Sequence, residues 1–398
     1  MENSNLFAFE IGNNKKLCHA ELVEKLGEKN FVDKNYDISI FSLSRKIDMQ
    51  SLQNALGGTI KIIEILYTLN EQDSSQNLFQ KVSNLIPDIL SEHFKDYEAQ
   101  GKVPFSISSY GYNNYKSINI KRLLNISKKF LKSLDLNCRF VNLGPENPKP
   151  STIYKAMIVE KGIDICIIKG EKHTYVGRAI TIQDIDSYTI RDYLKPGRDA
   201  YNGMLPPKLG QILINLAGNN TKTIYDPFCG TGTILMEGLL MGKKVIGSDV
   251  DARMIDLSNK NLAYLREKFD IKNDSETFRD DIRLMNPEDL KEYKIDCIVT
   301  ESYLGKPISR VPTREQQESL SLEIMTLHRN WLKTAAQILQ RKSRLILCLP
   351  AIKNIRVTEH IKFFDEMAVK NGFKVIATYN YSRPDQLISR DIKILEKA

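Results

Sequence analysis

The sequence predicts an α/β protein with more than one domain, in which an α+β half precedes a doubly wound, Rossmann-type half. Three observations support this prediction. The chain has 398 residues, more than one hydrophobic core usually serves, so we expect two or three domains. From about residue 185 onward, apolar strand-like runs alternate with helical patterns, which is typical of a parallel sheet. A glycine-rich turn directly follows the first of these strands.

Composition excludes several classes of protein. Hydrophobic residues make up 42% and charged residues 27% of the chain, which is ordinary for a globular protein and excludes collagen and coiled coils. No apolar run approaches the roughly 20 residues that cross a bilayer, and the first residues lack the pattern of a signal peptide. The six cysteines lie far apart without a C-x-x-C pair, which argues against a structural zinc site. We therefore expect a soluble, cytosolic protein with buried thiols.

Apolar patterns place the individual elements. In the first half they predict strands at residues 5–10, 38–41, 59–66, 104–110, 138–141, 157–159, 165–168 and 174–176, and helices at 19–26, 74–93 and 120–134. In the second half they predict strands at 224–225, 244–247, 297–299, 345–349 and 373–377, and helices that start near Thr233, Arg253, Arg314 and Ile355.

Positive charge is concentrated in one segment. The chain has 57 Lys and Arg against 49 Asp and Glu, and residues 101–150 hold nine basic but only two acidic residues. The helix predicted at 120–134 carries five of these basic residues beside its apolar side: Lys121, Arg122, Lys128, Lys129 and Lys132. A cationic stripe of this kind suits a nucleic-acid backbone, whereas the alternative is a helix face that is merely solvated.

The most informative motif runs from Ile224 to Thr233, where a strand ends in Asp226 and a glycine-rich turn opens a helix. Gly230 and Gly232 have no Cβ, so a ligand can approach the backbone, and the helix start offers free N–H groups. The pattern is neither an ATP-binding P-loop nor G-x-G-x-x-G. A tight turn without a ligand is the alternative.

Two later strand ends supply further carboxylates. Asp249 follows the first glycine by 19 positions, the distance at which an acidic residue accepts hydrogen bonds from ribose hydroxyls. Residues 278–282 offer another carboxylate, Asp281 or alternatively Asp280, that can accept a hydrogen bond from an adenine amino group. Simple solvation at the surface remains the alternative for either residue.

These motifs resemble a known family. The runs Asp226–Thr233, Gly247–Asp251 and Arg191–Lys208, the last of which leads into GMLPPKL at 203–209, are similar to those of THUMP-domain RNA methyltransferases that use S-adenosylmethionine. The most similar group methylates the exocyclic N2 of a guanosine at position ten of tRNA. The resemblance implies a ferredoxin-like domain over residues 1–72, a THUMP RNA-binding domain over 73–180 and a Rossmann-like class I methyltransferase domain over 181–398.

The resemblance also implies roles for the motif residues. Asp226, Gly230, Gly232 and Thr233 would hold the methionine end of S-adenosylmethionine. Asp249 would bind the ribose, and Asp281 with Ile282 would contact the adenine. The implied partner is structured RNA, namely tRNA, and the sequence leaves open the need for a small activating protein subunit.

In that family the target amine meets an Asp-Pro-Pro-Tyr-type loop after the fourth strand. Here the corresponding residues are Glu301, Ser302 and Tyr303, so Glu301 stands for the Asp and Tyr303 falls one place early for the aromatic residue. We predict that Glu301 and Tyr303 are catalytic, with Glu301 accepting the amine hydrogens. The altered loop leaves two alternatives: an RNA-binding protein with an inactive methyltransferase domain, or an enzyme that methylates an amine on another RNA or DNA base.

Several further residues around this motif are weaker candidates. A flipped base needs an aromatic platform, for which Tyr303 comes first and Tyr188, Tyr193 and Tyr201 follow. Arg191, Lys195 and Arg198 could hold RNA phosphates or pair with Asp192 and Asp199. His328 lies in an apolar helix and is predicted to be structural. Residues 381–391 resemble the family's closing hairpin and have no assigned chemistry.

Overall fold

The computed structural model describes residues 4–44, 46–70, 75–98, 101–112, 118–144, 146–199, 204–305, 313–352, 358–383 and 387–398. The chain divides into two compact units. The first unit comprises Met1–Lys15, Leu26–Asn54 and Thr59–Ile185, and the second comprises Lys16–Lys25, Ala55–Gly58 and Asp186–Ala398. The described residues include no helix that is both long and apolar enough to span a membrane.

The first unit is built on one eight-stranded sheet. Its strands are β1 (Ser4–Ile11), β2 (Phe31–Lys34), β3 (Ile38–Ser44), β4 (Thr59–Asn70), β5 (Val103–Tyr110), β6 (Cys138–Phe140), β7 (Ile163–Lys169) and β8 (His173–Ile182), in the order β2-β3-β1-β4-β8-β7-β5-β6. Pairing is antiparallel from β2 to β7, and β5 is parallel to both β7 and β6. Because β4 pairs with β8, the sheet continues from the segment predicted as ferredoxin-like into the segment predicted as THUMP.

The helices associated with this sheet are α2 (Met49–Ala55), α3 (Ser75–His93), α4 (Ile120–Ser133), α5 (Pro150–Lys155) and α6 (Ile158–Lys161). Asn119 starts α4 by accepting a hydrogen bond from the Arg122 backbone N–H. Leu123 and Leu131 of α4 are fully buried in a core shared with α3, β5 and β7. The apolar periodicity that predicted this helix is therefore the periodicity of its packing face.

One predicted strand is wrong. Residues 157–159 begin the short helix α6, after Met157 takes a left-handed backbone with φ of 52°. Ile158 is buried against Ile153 and Ile182. A run of three apolar residues does not distinguish a strand from a helical turn, so tertiary packing decides between them.

The second unit contains a seven-stranded sheet with the order β11-β10-β9-β12-β13-β15-β14. Its strands are β9 (Thr223–Asp226), β10 (Lys244–Asp249), β11 (Ser275–Arg279), β12 (Cys297–Glu301), β13 (Arg344–Ile352), β14 (Phe373–Tyr381) and β15 (Ile388–Lys397). Its helices are α1 (Lys15–Leu26), α7 (Ile185–Asp192), α8 (Pro207–Leu216), α9 (Thr233–Leu240), α10 (Ala252–Phe269), α11 (Arg314–Ile338) and α12 (Thr358–Lys370).

Helices cover both faces of this sheet. On β10, Val245 packs in a cluster with α9 and α10, whereas its neighbour Ile246 packs in a cluster with α11 and α12. Successive side chains of a strand point to opposite faces, so the predicted doubly wound arrangement is confirmed. The sheet is mixed rather than wholly parallel, because β15 runs antiparallel to β13 and β14. The link at 382–387 is too short for a crossover helix.

Two N-terminal segments complete the second unit. Glu21 of α1 is fully buried, and its carboxylate accepts hydrogen bonds from the N–H groups of Gly57 and Gly58 at 2.9 and 2.8 Å and from Asn215 Nδ2 at 2.7 Å. Burial raises the pKa of Glu21 to about 7. A Cβ on Gly57 would lie 2.1 Å from the carbonyl oxygen of Lys208, so only glycine fits there.

Candidate active site

A cleft of about 790 Å³ opens where β9, β10, β11 and β12 end. The chain leaves β9 toward β10 on one side, while β12 lies on the other, which makes this edge the topological switch point of the sheet. Three strand-end carboxylates line the cleft, namely Asp226, Asp249 and Glu301. The structure thus brings the separate sequence motifs to one site.

The glycine-rich turn forms one wall of the cleft. Gly230 and Gly232 have φ of 51° and 80°, a left-handed backbone that favours glycine. A Cβ on Gly232 would lie 2.4 Å from Ser258 Oγ, whereas a Cβ on Gly230 would meet nothing closer than 4.0 Å. Gly232 caps the start of α9, and Thr233 is its first residue. The turn therefore presents an accessible backbone and a helix N-terminus to the cleft.

Asp226 and Asp249 are held by hydrogen bonds from neutral donors. Asp226 is 1% exposed and accepts from the Phe228 N–H at 3.1 Å and from Thr300 Oγ1 at 2.7 Å. Burial raises its pKa to about 7. Asp249 accepts from the Gly230 N–H and the Asp251 N–H, both at 3.0 Å, and burial raises its pKa as well. Asp249 thereby fixes the glycine turn to the end of β10.

Two further carboxylates, Asp280 and Asp281, follow the end of β11 and also line the cleft. Asp280 Oδ1 accepts the Asp281 N–H at 2.6 Å. Asp281 Oδ1 accepts from Arg283 Nε at 2.8 Å, and this hydrogen bond from Arg283 lowers the pKa of Asp281. Ile282 is 2% exposed and also lines the cleft. Asp280 and Asp281 therefore both remain candidates for the contact with adenine.

The predicted amine loop closes the other end of the cleft. Glu301, the last residue of β12, forms an ion pair with Arg390 of β15. Ser302 is buried, donates to the Cys348 carbonyl oxygen at 2.7 Å and lies 3.5 Å from His328 Nε2. Tyr303 lines the cleft, and its pKa is raised by burial and by Glu323. The loop continues into residues 306 and 307, which lie outside the described part of the chain.

His328 lies beneath this loop in the protein interior. It is fully buried, its Nδ1 accepts a hydrogen bond from Trp331 Nε1 at 2.9 Å, and burial lowers its pKa to about 3. The ring is therefore neutral and supports the loop from below, in agreement with the structural role predicted for it.

The weaker aromatic candidates are placed differently from one another. Tyr188 hydrogen-bonds Gln211 and lies under the Arg191 guanidinium at 4.2 Å, an arrangement of side-chain packing. Tyr193 is 63% exposed and lies 5.7 Å from the Arg198 guanidinium, and Arg198 is also exposed. Tyr201 lies outside the described residues.

Arg191 requires a correction. It was predicted to contact RNA phosphates or pair with an aspartate, but it is 6% exposed and forms an ion pair with Glu237 of α9 at 2.9 Å. A buried guanidinium with a buried partner cannot reach a phosphate. Lys195 is likewise buried and donates to Thr233 Oγ1 at 3.0 Å. The local charge pattern could not show this, because Glu237 is distant in sequence.

Sequence reasoning also missed two supporting residues. Asn261 of α10 accepts a hydrogen bond from the Gly197 N–H and donates to the carbonyl oxygens of Gly197 and Thr231. These hydrogen bonds connect the segment that precedes the site with the glycine turn. Arg390 was missed although it lies in the hairpin run at 381–391. Its neighbours Ser389 and Asp391 are polar as well, so no local signal singles it out.

The basic stripe of α4 belongs to the first unit. Lys121, Arg122, Lys129 and Lys132 are exposed, and Lys128 is half-buried with its Nζ 5.6 Å from the Phe140 ring. Within the described residues none of the five forms an ion pair. These cations are accordingly available to a polyanion.

Comparisons with known proteins agree with this geometry. The family model described as the RMKL-like methyltransferase domain matches residues 196–374, and a model described as DNA methylase matches residues 64–260. The chain is 37% identical over 126 residues to the tRNA (guanine(10)-N2)-dimethyltransferase of Methanothermobacter thermautotrophicus, covering 31% of this chain and 34% of that protein.

Other relatives extend the match. The enzyme of the same name from Methanocaldococcus jannaschii is 28% identical over 254 residues, covering 61% of this chain and 65% of that protein. The matches thus span about one third to two thirds of these relatives' lengths. The crystal structure of TrmN from Thermus thermophilus aligns over 100% of both chains with a TM-score of 0.58 at 14% identity, a likeness of fold. In sequence the chain is therefore similar to tRNA (guanine(10)-N2)-dimethyltransferases and, over residues 196–374, to RMKL-like methyltransferase domains.

Proposed function

We propose that this protein is an S-adenosylmethionine-dependent methyltransferase that modifies the exocyclic N2 amine of a guanosine in tRNA. One observation carries the proposal. The glycine turn, Asp226 and Asp249, here called the cofactor end, line the same cleft as Glu301 and Tyr303, here called the amine end. A methyl donor and an amine acceptor can therefore meet between the two ends.

The residues present fit the cofactor. A cleft of about 790 Å³ is in the range of pockets for ligands of this size. The open backbone at Gly230 and the helix start at Thr233 suit the carboxylate of a methionine moiety, and Asp226 suits its ammonium group. Asp249 is placed for the ribose hydroxyls, and Asp281 or Asp280 with Ile282 for the adenine. S-adenosylmethionine, when bound, supplies a methyl group on an electrophilic sulfonium.

The chain itself contributes positioning at the amine. The lone pair of a guanine N2 is delocalised into the ring, so acceptors must draw the amine hydrogens toward a tetrahedral arrangement. Glu301 is the acceptor in this proposal, and Tyr303 is the platform for a base that has left its helix. Because the donor is already reactive, orientation supplies most of the rate enhancement.

For the architecture, we infer a class I methyltransferase fold in the second unit, which the sheet order supports. The ferredoxin-like segment 1–72 and the THUMP segment 73–180 are proposed to share the continuous sheet of the first unit. These boundaries, and the boundary of the methyltransferase domain at residue 181, stay predictions.

The experiment is an assay of the full chain with tRNA and methyl-labelled S-adenosylmethionine, followed by mass spectrometry of the nucleosides. We expect N2-methylated guanosine at one tRNA position. Glu301→Ala is the matched control, because it should keep cofactor binding while losing transfer. Label in another nucleoside would contradict the assignment of the amine, and no label with a protein that binds cofactor would contradict the activity.

Two alternatives are tested in the same assay. The match of residues 64–260 to a DNA methylase model favours an amine on a DNA base as the second candidate, which predicts label in duplex or single-stranded DNA instead of tRNA. An RNA-binding protein with an inactive methyltransferase domain would bind tRNA and transfer nothing to either nucleic acid.

We also propose that the α4 stripe holds the RNA backbone. Lys129→Glu/Lys132→Glu should weaken tRNA binding and reduce the slope of log K against log salt by about 0.7 to 0.9 for each lost phosphate contact. Lys29→Glu/Lys46→Glu is the matched control, because both lysines are exposed in the first unit outside the stripe. If the two double variants weakened tRNA binding equally, the change in net charge alone would explain the effect.

A further inference from the structure

We propose that Arg390 is a positioning residue for methyl transfer, whose guanidinium fixes the Glu301 carboxylate so that its second oxygen faces the target amine. The inference rests on the proposed function, in which Glu301 is the amine acceptor. It assigns a role to a residue of the C-terminal hairpin, remote in sequence from the motifs that line the cleft.

The strand register places the two residues on one face of the sheet. Glu301 of β12 lies beside Cys348 of β13, and two residues further along β13 Pro350 lies beside Arg390 of β15. The Arg390 side chain therefore reaches across β13 to Glu301. The side chains of Arg390 and Glu301 are 8% and 19% exposed, so the pair is largely desolvated.

The pair uses only part of the carboxylate. Arg390 Nε donates to Glu301 Oε1, and among the described residues no other group hydrogen-bonds this carboxylate. Oε2 therefore retains its acceptor capacity while the rotamer is fixed at Oε1. Although burial opposes it, the charge of Glu301 raises the pKa of Arg390, so the guanidinium stays a permanent cation.

The need for such a restraint follows from the residue type. Glu301 stands where the family that this sequence resembles has an Asp. Its extra methylene adds a rotatable bond, so without a restraint the acceptor oxygen would occupy several positions. A guanidinium has a planar, fixed set of donors, so it restrains direction as well as charge. A lysine would supply charge without the same directional restraint.

The backbone of the loop is restrained by a second contact. Ser302 stands where the family has a proline, and its buried hydroxyl donates to the Cys348 carbonyl oxygen at 2.7 Å. The hydrogen bond to β13 fixes the main chain, and Arg390 fixes the side chain of Glu301. The two contacts together define where the acceptor oxygen lies.

The test compares Arg390→Ala and Arg390→Lys with wild type in the tRNA assay, with cofactor affinity measured in parallel. For Arg390→Ala we expect kcat to fall about 100-fold, with the cofactor Kd within about twofold. Guanidinium ion at about 20 mM should restore part of the activity, because it can occupy the vacated position. Arg341→Ala is the matched control, since Arg341 is exposed at the opposite end of β13.

The coupling to Glu301 is measured with a double variant. In the Glu301→Ala background, Arg390→Ala should cause no further loss and guanidinium should restore nothing, because the acceptor is already gone. Additive losses, or a kcat of Arg390→Ala equal to wild type, would overturn the positioning role. A loss of activity in Arg390→Ala that guanidinium does not restore would also overturn the positioning role.

Two outcomes separate this inference from the proposed function. If the wild-type protein methylates no tRNA guanosine, the proposed function fails. If wild type is active and Arg390→Ala is equally active, only the role of Arg390 fails. Should Arg390→Ala not fold, Arg390→Lys decides: about a tenfold lower kcat at unchanged cofactor Kd supports the role, and full activity overturns it.

Discussion

The carboxylates at the two ends of the cleft differ in whether a cationic side chain pairs with them. At the cofactor end, Asp226 and Asp249 accept hydrogen bonds from backbone N–H groups and a hydroxyl, and no described cation pairs with either. At the amine end, Glu301 is paired with Arg390. Uncompensated carboxylates suit a cationic ligand, whereas a compensated carboxylate suits a neutral base whose hydrogens must be oriented. In the proposed function these are S-adenosylmethionine and guanine.

The largest expected effect concerns the amine end. Glu301→Ala should lower kcat by about 100- to 1,000-fold, the range found when one preorganised hydrogen-bonding group is lost from a transition state. Cofactor affinity should stay unchanged, because Glu301 is not among the residues proposed to hold the cofactor. Single-turnover assays and calorimetry measure the two quantities. A parallel loss of cofactor binding would show that the ends are not independent.

The complementary change at the cofactor end should have the reverse signature. Asp249→Ala should weaken S-adenosylmethionine binding by about 30-fold, since hydrogen bonds to a charged group contribute about 2 kcal/mol. Asp256→Ala, an exposed neighbour on α10, is the control for general charge loss. Thermal unfolding of both variants shows whether the glycine turn remains in place. Unchanged cofactor affinity in Asp249→Ala would remove the ribose assignment.

The pH dependence tests whether the charge at the cofactor end is uncompensated. Burial raises the pKa of Asp226 to about 7, and a cationic ligand favours the ionised carboxylate. Binding should therefore release a proton, and affinity should fall as pH falls through 7, by up to about tenfold between pH 8 and 6. Calorimetry in buffers of different ionisation enthalpy counts the proton. In Asp226→Asn, cofactor affinity should vary much less with pH. If the wild-type affinity were equal at pH 8 and pH 6, the proposed ionisation of Asp226 on binding would be wrong.

The smallest effect concerns the support of the amine loop. Ser302→Ala removes the hydrogen bond to the Cys348 carbonyl oxygen, which is worth about 1 kcal/mol, so we expect kcat to fall about fivefold. Ser302→Thr keeps a hydroxyl and serves as the conservative comparison. Both variants should bind cofactor as wild type does. A loss as large as that of Glu301→Ala would mean that the backbone restraint, rather than the acceptor, dominates.

The same contrast explains what could be predicted from sequence. At the cofactor end, some hydrogen bonds join residues only two apart, as between Asp226 and Phe228 or Asp249 and Asp251, and positive φ favours glycine. Such local constraints leave a short motif. At the amine end, Glu301 and Arg390 lie 89 positions apart and Ser302 and Cys348 lie 46 apart. These pairings depend on sheet register, which no local pattern encodes.

Elsewhere the physical reasons are similar. Helix α4 could be predicted because one apolar side persists over several turns, whereas three apolar residues at 157–159 could not distinguish strand from helix. The antiparallel β15 was missed because charged residues such as Arg390, Asp391 and Lys393 interrupt its apolar run. Arg191 was misread as an RNA contact, since its partner Glu237 lies in a different helix.

The placement of Glu21 against Gly57, Gly58 and Asn215 has a practical consequence for dissecting the molecule. The chain passes from one unit to the other five times, between residues 15 and 16, 25 and 26, 54 and 55, 58 and 59, and 185 and 186. A single cut before residue 186 would discard α1 and the diglycine segment, and would leave Asn215 without its buried acceptor. The second unit cannot be excised as one contiguous piece, so its properties are best dissected by point substitution in the intact polypeptide.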